Sequence, residues 1–124
     1  MTEEYKKIQN ELYEIEEKQE TIEKVRKRVL SEEDYSMNQT NHSLRQIEES
    51  SYEWKHDSKL QRLFYEQENL ITGIQKERLY FLEDWEEKIN HDKKQLRQQE
   101  EDYQEKLHQL KMQEVREESN GTTT

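Results

Sequence analysis

The sequence predicts an all-α protein, an elongated antiparallel two-helix hairpin with coiled-coil-type packing. Three observations carry that prediction. The first is the near absence of breakers: the 124 residues include no proline, and glycine only at Gly73 and Gly121. The second is composition. Charged residues make up 40% of the chain and hydrophobic residues 28%, with a mean hydropathy of -1.54. That is too little apolar surface for a thick globular core, yet enough for the narrow seam of paired helices. The third is a seven-residue apolar rhythm on both sides of residues 50–59, "SSYEWKHDSK".

Helix one is expected over about residues 3–53. Its apolar positions step in threes and fours through Tyr5, Ile8, Leu12, Ile15, Ile22 and Val29, with polar interruptions at Gln19 and Arg26. Polar residues at such seams often set register. Straight-chain Glu, Lys, Gln, Leu and Arg dominate, and they lose little rotamer freedom in a helix. Acid-to-lysine pairs four residues apart, such as Glu14–Lys18, Glu20–Lys24 and Asp102–Lys106, are in the helix-favouring orientation. Residues 30–44, "LSEEDYSMNQTNHSL", are the most polar and helix-poor segment, and Ser31 with Asp34 offers a capping-box pattern. A loop is one reading. Continuous but soft helix is favoured, because breakers are lacking and the seam resumes at Leu44, Ile47, Ser51 and Trp54.

A turn is expected at about 54–58. Without one the chain would be a single rod of about 115 residues, on the order of 170 Å, with its seam uncovered. Asp57 or Ser58 is a ready N-cap for a following helix, and Trp54 closes the preceding one. Helix two is then expected over about 59–118. Leu82, Ile89, Leu96, Tyr103 and Leu110 form a strict seven-residue stripe. Asn120-Gly121 reads as a terminator, leaving 119–124 as a flexible tail.

Several function classes are disfavoured. Zero cysteines remove disulfides and thiolate metal sites. His42, His56, His91 and His108 are scattered, so no metal, cofactor or catalytic residue is assigned and no enzyme is expected. A formal charge of -10 argues against nucleic-acid partners, with the basic cluster "KVRKR" at 24–28 read as a solvated helix face. No apolar run reaches the roughly 18 residues a membrane span needs. The charged start "MTEEYKKIQNEL" is no secretory signal peptide. A cytoplasmic protein is expected, or one exported by a route that reads a folded shape.

The informative feature is the apolar width between Leu60 and Ile89. Leu63, Phe64, Leu70, Ile71, Ile74, Phe81, Trp85 and Ile89 exceed what one partner helix covers, so they are the candidate partner-binding residues. A thicker hairpin core or a homodimer seam is the alternative use of the same face. Gly73 lies inside this zone.

A helix closed by tryptophan, a short turn and a second long amphipathic helix resemble the WXG-type hairpins of type VII secretion systems. Here "WKH" at Trp54–His56 stands without the glycine of that tripeptide. The stretches "SSYEWKHDSKLQRLFYEQE" at 50–68 and "LEDWEEKINHDKKQLRQQEEDYQEKLHQL" at 82–110 resemble instead the small LXG-associated α-helical proteins of Gram-positive bacteria, the second of the two that accompany an LXG toxin. The resemblance implies a targeting factor that binds the N-terminal helical LXG region of a toxin. A second small helical protein would complete the complex, and the factor itself could be co-exported. It also implies an aromatic-x-x-x-acid export motif. Tyr80–Asp84 in "YFLED" fits that form, as do Tyr13–Glu17 and Phe64–Glu68.

Overall fold

The structure is a computed structural model that describes residues 2–122. It contains two α-helices, α1 (Glu3–Glu53) and α2 (Ser58–Thr122), packed antiparallel in a hairpin. The soft segment at 30–44 is helix throughout. One of its hydroxyls is turned inward on the helix: Thr40 Oγ1 donates to the Ser36 carbonyl at 2.9 Å. Thr21 and Thr72 make the same bond four residues back, at 2.9 and 2.8 Å. Such bonding satisfies the hydroxyl inside the helix at a slight cost, because it shares the carbonyl with the backbone.

The connection is the tightest local device in the chain. Trp54 N–H donates to Ser50 at 3.0 Å and so closes α1. Asp57 N–H returns to the Trp54 carbonyl at 3.0 Å, which makes a single turn of the backbone. Asp57 Oδ1 then accepts from the amides of Lys59 and Leu60, both at 3.1 Å. These are the second and third residues of α2, so Asp57 is its N-cap and satisfies two of the amides a helix start leaves bare. Ser58, the other cap candidate, is the first helical residue instead.

Gln61 completes the turn, and its part was not legible from sequence. Its amide nitrogen donates to the Ser51 carbonyl at 2.8 Å and the Trp54 carbonyl at 2.9 Å. Its amide oxygen accepts from Ser51 Oγ at 2.8 Å. One side chain on α2 therefore occupies the Ser51 carbonyl at the end of α1 and shares the Trp54 carbonyl with the Asp57 amide.

Two compact units divide the chain. The first joins Met1–Lys24 to Lys88–Thr124. Its core is Tyr5, Ile8 and Ile15, exposed by only 7, 6 and 4%. Leu96, Tyr103, Leu107 and Leu110 are half-buried in the same unit. Full burial of such a side chain contributes about 1.5–3 kcal/mol. Where the seam turns polar, the helices are tied by charge: Gln19 donates to Glu100 at 2.8 Å, and Lys93 pairs with Glu23.

The second unit, Val25–Glu87, holds the turn. Its α1 side offers Glu33, Ser36, Thr40 and Ser51 alongside half-buried Met37, Leu44 and Ile47. Arg78 on α2 reaches across to Glu33 at 3.1 Å and to the Ser36 hydroxyl. None of its side chains is fully buried.

The far end of α2 departs from expectation. The helix continues through Asn120 and Gly121 to Thr122, so 119–122 belong to the helix; Thr123 and Thr124 lie outside the described residues. An Asn-Gly pair stops a helix by adopting a left-handed conformation, and no glycine among the described residues has a positive φ. In its place the pair costs only helix propensity, about 1 kcal/mol at the glycine.

Two substitutions separate the turn from the core. Asp57→Ala should cost about 1 kcal/mol by loss of the cap. Ile15→Ala should cost about 2–5 kcal/mol by opening the seam at its most buried point. Urea unfolding followed by circular dichroism measures both, and Ile15→Ala should have the lower midpoint.

Candidate partner-binding surface

The broad apolar face of α2 is two stripes. At 100° per residue, Leu60, Phe64, Ile71, Leu82 and Ile89 fall along one line of the helix, the line that faces α1. All five are half-buried. Leu63, Leu70, Ile74 and Phe81 fall along a second line, roughly 80° around the helix. These four are open: Leu63 is 46% exposed, Leu70 65%, Ile74 50% and Phe81 73%.

The eight residues singled out by sequence therefore divide evenly. Phe64, Ile71, Trp85 and Ile89 are half-buried, and only Leu63, Leu70, Ile74 and Phe81 are open to a partner. The signal for the division was present in the spacing. Residues seven and eleven apart on one helix share a line, whereas Leu63 and Phe64 do not. Composition alone merges the stripes because it counts apolar residues without their azimuth.

A cleft of about 270 Å³ adjoins the open stripe. On α1 it is lined by Ser36, Thr40 and Ser43, and on α2 by Ile71, Ile74 and Arg78. Ile74 belongs to both features, so apolar surface continues from the stripe into the cleft. The cleft exists because α1 offers small hydroxyl side chains where a tighter hairpin would carry leucine. Gly73 has nothing within 4 Å of the position its Cβ would take. It faces open space and leaves the α2 backbone accessible beside the stripe.

Other exposed apolar residues are more scattered. Leu79, Tyr65 and Tyr80 lie on other faces of α2 at 39, 66 and 68% exposure, and sequence reasoning had not set the first two apart. Trp54 sits in the turn, 55% exposed, next to Lys55, whose ammonium lies 4.9 Å from the centre of the Tyr52 ring. Tyr80 and Asp84 are one turn apart in mid-helix, both exposed. Tyr13 is hydrogen-bonded to Glu17, whose carboxylate pushes the phenol above its ordinary value.

Charges of both signs surround the stripe. Lys59 and Arg62 stand at its start, and Glu77, Asp84 and Glu87 towards its end. Arg62 is paired with Glu66 at 3.5 Å on the same helix, an exposed contact worth little in stability. Among the described residues, no group of three or more His, Cys, Asp or Glu side chains is placed to hold a metal, and no helix is long and apolar enough to cross a membrane.

Fold and surface together define a small all-helical two-helix protein with an uncovered apolar line on its second helix. No protein family, curated protein or solved structure matches the chain.

The two stripes should respond differently to charge. In dilute protein, Phe81→Glu should change unfolding free energy by less than about 0.5 kcal/mol, as an open surface site does. Trp85→Glu puts a carboxylate on the half-buried line and should cost about 1–3 kcal/mol. Equal losses for both, read from urea midpoints, would place Phe81 in the hairpin core.

Proposed function

We propose that this chain is a non-enzymatic targeting factor, an adaptor that binds the N-terminal helical LXG region of a type VII secreted toxin and promotes its export. A second small helical protein would take part in the complex. The observation that carries the reading is the line Leu63, Leu70, Ile74 and Phe81, open to solvent on a long helix of an otherwise strongly polar hairpin. An apolar line of that length matches the face of one amphipathic helix, with anchors at the spacing of helix-in-groove recognition. The sequence resemblance supplies the identity of the client, and the stripe supplies the means of holding it.

In this mechanism the client helix lays its own apolar face along the stripe, and the adjoining cleft accepts a side chain beside Ile74. Burial of four large side chains drives association. The acidic surface elsewhere keeps the complex from further aggregation. Tyr80 and Asp84, exposed and one turn apart, are the proposed export-motif residues. A structural coiled-coil protein without a toxin client is the second reading, favoured by the same uncovered stripe.

Co-expression with a neighbouring LXG toxin tests the first reading. The two should co-purify, and Phe81→Glu should abolish capture while the chain keeps its helical circular dichroism. Absence of any complex, with both proteins folded, overturns the adaptor reading. Within the assembled system, Tyr80→Ala should leave the complex intact and lower the amount of toxin exported.

A further inference from the structure

We infer that the open stripe of α2 pairs with the same stripe of a second copy of this chain, antiparallel, about a two-fold axis near Thr72. The inference concerns the chain alone and does not rest on the toxin reading. Its basis is a symmetry in the spacing. Leu63, Leu70, Ile74 and Phe81 are separated by seven, four and seven residues, a pattern that reads the same in both directions. A heterologous partner demands no such symmetry, whereas an isologous contact requires a surface to be complementary to itself.

Laid antiparallel, the four anchors fill four apolar layers. Leu63 meets Phe81 of the second copy, Leu70 meets Ile74, and the two-fold repeats both contacts. Phenylalanine faces leucine in the two outer layers and leucine faces isoleucine in the two inner ones, apolar contacts of the kind interdigitating helices make. Between them, Gln67 falls opposite Glu77 of the second copy, an amide donor against a carboxylate acceptor. The polar layer is thus matched in chemistry as well as in position.

The flank repeats the logic in charge. Lys59, Glu66, Gly73, Tyr80 and Glu87 lie seven apart beside the stripe, and all five are exposed. In the same antiparallel arrangement the long side chains of Lys59 and of Glu87 from the second copy lie two residues off the strict two-fold level, an offset they span, and the Tyr80 hydroxyl meets the Glu66 carboxylate with the same offset. Neither Lys59 nor Glu87 makes an ion pair among the described residues. Gly73 meets Gly73 on the axis, where the space around its missing Cβ is open and two backbones can approach closely. A parallel register loses all of this, since it sets Lys59 against Lys59 and Glu87 against Glu87.

The absence of cysteine from the chain makes the register directly testable. Chains carrying Leu70→Cys and chains carrying Ile74→Cys, mixed and oxidised, should form the mixed disulfide in preference to either like-with-like product. Leu63→Cys with Phe81→Cys should behave the same way, and Tyr65→Cys, on another face, should cross-link poorly with all of them. Light scattering of the unmodified chain should give twice its 15.4 kDa mass. Lys59→Glu should weaken the dimer a few-fold, and adding Glu87→Lys to the same chain should restore it. A monomer at tens of micromolar overturns the inference, as does a preference for like-with-like disulfides or indifference to the charge swap. Those outcomes would leave the stripe to a partner of different sequence, and the toxin co-expression would stand or fall separately.

Discussion

Everything in this protein depends on the chain reversing direction within four residues, and the cap on Asp57 is what makes that reversal definite. A helix as long as α1 has no intrinsic reason to stop at Glu53. No glycine or proline ends it. The Asp57 carboxylate starts α2 by accepting from two amides, and Gln61 closes α1 by donating to the Ser51 carbonyl and to that of Trp54 just beyond it. Both ends of the turn are therefore satisfied by side chains from one side of it. Without them the lowest-cost alternative is continued helix, and the seam that each helix now covers would stay open to water.

With the reversal in place, stability is unevenly spread. Tyr5, Ile8 and Ile15 are the buried residues of one unit, and no side chain of the other is buried to that degree. In that second unit α1 contributes Ser36, Thr40 and Ser51 to the seam, and charge-assisted bonds from Arg78 stand beside its half-buried apolar residues. Exposed and half-exposed ion pairs add little net stability in water. Their use here is directional: they specify which residues face one another while leaving apolar surface of α2 uncovered. A hairpin so built gives up internal packing along the segment that has the most to offer a partner.

The same trade explains why the fold was readable from sequence and the surface only half so. Helix content, the absence of a thick core and the turn near Trp54 all follow from composition, breakers and the seven-residue rhythm, which are local or nearly local properties. Gln19 is visible as a polar interruption of the seam, whereas Glu33 reads as one more surface acid. Their partners Glu100 and Arg78 lie dozens of residues away, and nothing local pairs them. Gln61 reads as an ordinary surface glutamine until the end of α1 is folded back against it. Asn120-Gly121 misled for the opposite reason. Its stopping power lies in a backbone conformation the chain does not adopt, and propensity alone is a weak barrier at the end of a 65-residue helix.

Sequence by itself predicted two helices joined near Trp54, because periodicity and the lack of breakers make helix throughout and the Asp57 cap signal favours a turn over one long rod. It also carried the spacing of seven, four and seven residues through Leu63, Leu70, Ile74 and Phe81. Only the tertiary structure decided which apolar residues of α2 face α1 and which face water. Azimuth on a helix has meaning only once a neighbour occupies one side of it. Phe64, Ile71, Trp85 and Ile89 went inward in part, and their sequence neighbours were left outside for whatever chain comes next.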